Sequence, residues 1–140
     1  MKKYLKFLLI IWELPQIFLA GMIIIFLRRE IIGRETYKNV RIIYIKKFPA
    51  GISLGRFIIL NDKYKSNELS IKHEYGHSVQ SMYFGWLYLI VIGLPSIIRI
   101  LVWRIRRLKS LDYYKGYPEN WANKIGFTKD EYLKILEKLK

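Results

Sequence analysis

The sequence predicts an α+β chain with three parts: a small sheet built on a β-hairpin, one helix carrying metal-ligand spacing, and two apolar helical segments associated with a membrane. Three observations predict it. His73-Glu74-Tyr75-Gly76-His77 has the pattern H-E-x-x-H and contains both histidines of the chain. Two stretches rich in β-branched and aromatic residues, 39–48 and 52–60, flank the turn signal Pro49-Ala50-Gly51. Of two apolar runs, 4–27 has Lys and Arg at both ends and 84–103 is followed by a basic block.

With 140 residues and no internal repeat, the chain reads as one domain, 1–140. Hydrophobic residues make up 52%, yet the formal net charge is +14. A nucleic-acid binder would explain the charge but not the apolar runs, so nucleic acid is not an expected partner. An anionic lipid bilayer explains both, because each Lys or Arg near anionic lipid is worth about 1 kcal/mol. The absence of Cys removes any disulfide framework.

The first run, Tyr4 to Leu27, is long enough to span a bilayer as a helix. Lys2, Lys3 and Lys6 precede it, and Arg28 and Arg29 close it. A cleaved signal peptide is the competing reading, but Phe18 stands where cleavage near Ala20 needs a small residue. A retained anchor over 4–27 is therefore expected, kinked near Glu13, Pro15 and Gln16, with Glu13 turned toward a basic partner or headgroups.

Residues 28–38 read as a basic connector. The hairpin strands follow at 39–48 and 52–60, with Gly55 marking a bulge or a close backbone approach. Helix-start residues at 66–70 place the motif helix from about 68 or 70 to 83, with apolar positions Tyr75, Val79, Met82 and Tyr83. Segment 39–83 thus holds the hairpin and the motif helix. On a helix, residues four apart share a face, so both imidazoles can meet one ion. Glu74, beside that ion without binding it, is placed to take a proton from a water the ion activates. Zn2+ suits two neutral imidazoles and a carboxylate with one position left open. Gly76 beside the ion allows another backbone to come close.

The second run, 84–103, is broken by Gly93-Leu94-Pro95-Ser96. Segment 104–140 is polar, with Pro118 starting a helix that Gly126 ends. Thr128-Lys129-Asp130-Glu131 has the capping-box pattern, and Tyr132, Ile135, Leu136 and Leu139 form an amphipathic stripe.

A catalytic zinc needs a third protein ligand, and the downstream candidates are Asp112 and Glu119. Glu119 opens Glu-x-x-Ala-Asn on the predicted helix. Together with His73, Glu74 and His77, this resembles the paired motifs of the gluzincins, the thermolysin-like zinc metallopeptidases, over about residues 39–126. The resemblance implies a minimal zincin-like fold, His73, His77 and Glu119 as metal ligands, Glu74 as catalytic base, and Asn123 orienting a ligating His. Asn123 stands where Asp is usual. Such a partner raises ligand basicity, and losing one commonly costs 10–100-fold in metal affinity or activity.

The resemblance constrains topology. A single crossing by 84–103 would separate Glu119 from His77 by roughly 30 Å of hydrocarbon. A re-entrant or surface-lying segment turning at 93–96 is therefore expected. The rival family is that of the site-2-protease-like intramembrane peptidases, with Asp112 as third ligand. The expected function is a zinc metallopeptidase of the cell membrane, facing the cytoplasm by its Lys and Arg distribution, with a peptide or membrane-protein substrate. Tyr113, Tyr114 and Tyr117 are candidates for stabilising an oxyanion, with none preferred. A catalytically inactive zinc-binding adaptor is the other class.

Overall fold

The computed structural model describes residues 3–138, without the side chains at positions 3, 6, 110–112 and 138. The side chain of the alternative ligand Asp112 therefore lies outside what is described, and Leu139 of the amphipathic stripe lies outside the described residues. The described helices are α1 (Lys3–Trp12), α2 (Leu14–Phe26), α3 (Glu68–Phe84), α4 (Leu94–Arg106), α5 (Ser110–Lys115), α6 (Glu119–Gly126) and α7 (Lys129–Lys138). The strands are β1 (Ile31–Tyr37), β2 (Val40–Ile45), β3 (Gly51–Leu54) and β4 (Phe57–Asn61).

The strands form one mixed sheet in the order β1-β2-β4-β3. β1 and β2 are an antiparallel hairpin, β3 and β4 a second one, and β2 runs parallel to β4. The expected hairpin of 39–48 with 52–60 is thus corrected. Stretch 52–60 folds on itself at Gly55, whose φ of 61° suits the turn, and the presumed connector contains β1.

The sheet has a helix on each face. Val40, Ile42, Tyr44, Ile58 and Leu60 pack with Ile71 and Tyr75 of α3. Ile43, Ile45 and Ile59 pack with Ile23, Ile24 and Leu27 at the α2 side. Two covered faces explain why β2 and β4 are nearly continuous apolar runs rather than alternating ones. β3 is left as an edge strand beside α3.

The membrane-spanning expectation is overturned. The run 4–27 is two helices of 10 and 13 residues, and no described helix is long and apolar enough to cross a membrane. The cell-membrane location inferred from that run falls with it. The break comes at Glu13, because its carboxylate and the Gln16 amide are drawn into protein. Gln16 donates Nε2–H to the Gly85 carbonyl, and Glu13 Oε2 lies 3.9 Å from Arg56 Nε, the basic partner expected for it. Burial raises the Glu13 pKa, against lowering by the Ser81 hydroxyl and Arg56.

The re-entrant turn at 93–96 is also corrected. Gly93 has helical angles (φ −60°, ψ −51°), and the chain passes from a π-helical turn, Leu89–Gly93, directly into α4. Pro95 sits in the first turn of α4, where its missing N–H is tolerated. The Val91 carbonyl that Pro95 cannot reach accepts instead from the Tyr117 hydroxyl at 2.7 Å.

Candidate metal centre

The expected motif helix forms as α3. Asn67 caps it, its side chain accepting from Ser70 N–H at 3.1 Å. His73 and His77 stand on one face, rings 4.8 Å apart. That face is covered by α6, and two glycines set the approach. A Cβ on Gly76 would lie 2.0 Å from the Ala122 carbonyl oxygen, and one on Gly126 would lie 2.0 Å from the Lys72 carbonyl oxygen. The close backbone approach expected at Gly76 is therefore present. It brings Glu119, Ala122 and Asn123, one stripe of α6 at i, i+3 and i+4, onto the two histidines.

Glu119 Oε2 lies 3.0 Å from His73 Nε2 and 3.1 Å from His77 Nε2. One ligand atom from each of these three side chains lies within 4.8 Å of the other two, so the cluster could hold a metal ion. A tetrahedral ion with ligands at about 2.0–2.1 Å separates neighbouring ligand atoms by roughly 3.3 Å. The observed separations from Glu119 are close to that.

The outer atoms fix the proton pattern. Gln80 donates Nε2–H to the Pro118 carbonyl at 3.3 Å, which turns its Oε1 toward His77 Nδ1 at 2.8 Å. His77 must then carry its proton on Nδ1, leaving the Nε2 lone pair aimed at Glu119. Asn123 Oδ1 lies 2.7 Å from His73 Nδ1, the position expected for it. Ser96 Oγ donates to Glu119 Oε1 at 2.5 Å. Three lone pairs thus converge on one point, an arrangement that needs a cation or added protons. Without metal, protons answer. Burial lowers the His73 pKa but is outweighed by the Glu119 hydrogen bond and the charges of Glu74 and Glu119, so it rises to about 9. Burial raises the Glu119 pKa, and the two histidines override it, holding the carboxyl well below the usual range.

Glu74 faces β3 and is nearly buried. The Ser53 hydroxyl lies 2.7 Å from the Glu74 carbonyl oxygen and 2.8 Å from its Oε2, with one proton to share between them. A Cβ at Gly51 would lie 2.5 Å from Glu74 Oε1, so glycine there leaves the carboxylate its room. Above His73 and Glu74 opens a cavity of about 520 Å3. Tyr113 and Tyr114 line it, the Tyr114 ring edge-on to His73 at 5.3 Å. Burial, then the charges of Glu74 and Glu119, push the Tyr114 phenol up to about 12, so it stays a donor at neutral pH. Tyr117 instead faces Val91.

Three contributors escaped the sequence reading: Gln80, Ser96 and Ser53. Gln80 had a signal, since it lies three residues past His77 and seven past His73 on the same helical face. Ser96 and Ser53 had none, because their partners come from tertiary packing. No protein-family model, curated protein or solved structure matches the chain.

Proposed function

We propose that this chain is a zinc-dependent peptidase of the gluzincin kind its two motifs resemble. The observation that carries the proposal is the meeting of His73, His77 and Glu119, with His73 and Glu74 lining a cavity. Zinc held by those three side chains would polarise a peptide carbonyl and bring a water's pKa toward neutrality.

The chain's own groups do the rest. Glu74, steadied by Ser53, takes the proton of the attacking water and returns it to the departing amine. Asn123 and Gln80 keep the imidazole Nε2 atoms unprotonated and aimed. The substrate-aligning strand is Gly51–Leu54, not the longer stretch 52–60. Its outward positions alternate, and the Ser53 carbonyl is already taken by the Tyr88 hydroxyl at 2.9 Å. An added peptide strand therefore finds its main-chain partners at Gly51.

One observation favours a second reading, a zinc protein without turnover: Asn123 brings no negative charge to His73. One experiment separates the two. Wild type and Glu74→Gln are loaded with zinc and offered a broad library of quenched peptides. The peptidase reading expects equal zinc in both and cleavage by wild type alone. Equal zinc with no cleavage by either supports the second reading, and undiminished cleavage by Glu74→Gln contradicts the role of Glu74.

A further inference from the structure

The cavity over His73 and Glu74 carries charge that the proposed chemistry leaves unused. Among the described residues that line it only Glu74 is acidic, and that group is committed to Ser53 and to proton transfer. Two cations also line it, Lys63 on the turn after β4 and Arg104 on α4. Both side chains are exposed, and neither pairs with an acid among the described residues. The Lys63 ammonium rests 4.9 Å over the Tyr64 ring, another lining residue, which holds it at the cavity.

The centre itself is silent on substrate charge. A divalent ion held there would be offset by the carboxylates of Glu119 and Glu74, the two imidazoles being neutral ligands. Among the described lining residues, the remaining charges are those of Lys63 and Arg104. The lining also includes apolar and aromatic side chains, among them Ile100, Trp103, Tyr113 and Ile135. Low-dielectric walls focus the field of cations at such a cleft, and the chain's net charge of +14 extends the attraction into solution.

Resting on the peptidase reading, we propose that this cavity selects peptides bearing a carboxylate close to the cleaved bond, with Lys63 and Arg104 as the specificity-determining residues. The carboxylate has two sources, an internal Asp or Glu side chain or a free C-terminus, and the test separates them.

Three peptides share one apolar core. One has an internal Glu and an amidated end, one an internal Gln and a free carboxylate, and one an internal Gln and an amidated end. Cleavage by wild type is read as kcat/KM, and binding to zinc-loaded Glu74→Gln is read by fluorescence anisotropy. At least one carboxylate peptide is expected to exceed the neutral one roughly tenfold at low salt, with the gap shrinking as salt screens it. Which one exceeds it identifies the source. The double variant Lys63→Glu/Arg104→Glu is expected to lose that order and to prefer a fourth peptide, with an internal Lys and an amidated end, over the neutral one. Lys65→Glu/Arg106→Glu carries the same change in net charge outside the cavity lining and is expected to keep the wild-type order. Equal values for all three peptides overturn the proposal, as does an order that survives Lys63→Glu/Arg104→Glu. If wild type cleaves nothing, the peptidase reading fails, while the anisotropy order still decides the carboxylate preference.

Discussion

Replacing Gly76 by Ala is a one-carbon test of how the centre is assembled. In an isolated helix the change is favourable by about 1 kcal/mol, since Ala loses less backbone freedom on folding. Here the new Cβ would sit 2.0 Å from the Ala122 carbonyl oxygen, with backbone rather than a flexible side chain as the obstacle. Restoring ordinary contact of roughly 3.5 Å moves α6 away from α3 by more than about 1 Å. Glu119 lies on that helix one turn from Ala122 and moves with it. Metal sites tolerate about 0.2 Å in ligand distance, so the displacement exceeds the allowance several-fold. Overpacking of this kind costs typically about 1–3 kcal/mol. Zinc affinity should fall at least roughly tenfold, read by competition with a chromophoric chelator, and Tm should drop by a few degrees. Gly21→Ala is the control, since a Cβ there meets nothing within 4 Å. It should leave zinc affinity unchanged and Tm equal or higher. Wild-type zinc affinity in Gly76→Ala would refute the claim that close contact of these helices builds the centre.

Other expected outcomes concern the groups behind the ligands. Gln80→Ala, which frees His77 Nδ1, should weaken zinc binding by about 10–100-fold with circular dichroism unchanged; wild-type affinity would remove Gln80 from the account. Asn123→Asp, which puts a charge on His73 Nδ1, should tighten zinc several-fold by the same titration. In zinc-free protein His73 titrates at about 9 against 6.5 unfolded. Its pairing with Glu119 is then fully stabilising below pH 6.5 and is lost as pH rises through 9. Melts in chelator should show Tm falling across that window, and a flat Tm there contradicts the assigned network.

The helix with two histidines was legible because its signal is local. A four-residue spacing needs only helical geometry, and the polar cap at Asn67 marks the start. Glu119 was reachable only through the resemblance of Glu119 and Asn123, four apart on one helix, to the second gluzincin motif. The sheet was half legible. The alternation of β2 and β4 is erased by burial on both faces, so the Gly55 turn inside one apolar stretch read as a bulge or a close backbone approach. The apolar run 4–27 misled for a related reason. Hydropathy sums over side chains and does not register that Glu13 and Gln16 find partners at Arg56 and Gly85, far along the chain. Nor could it show Tyr117 filling the carbonyl that Pro95 leaves.

The central claim is that one cation is held jointly by two imidazoles of α3 and a carboxylate of α6. Metal analysis after purification and dialysis tests it most directly, comparing wild type with His77→Ala, Glu119→Ala and Asp112→Ala. The account predicts one zinc per chain in wild type and in Asp112→Ala, with far less in the other two. Zinc retained in Glu119→Ala and lost in Asp112→Ala would contradict it.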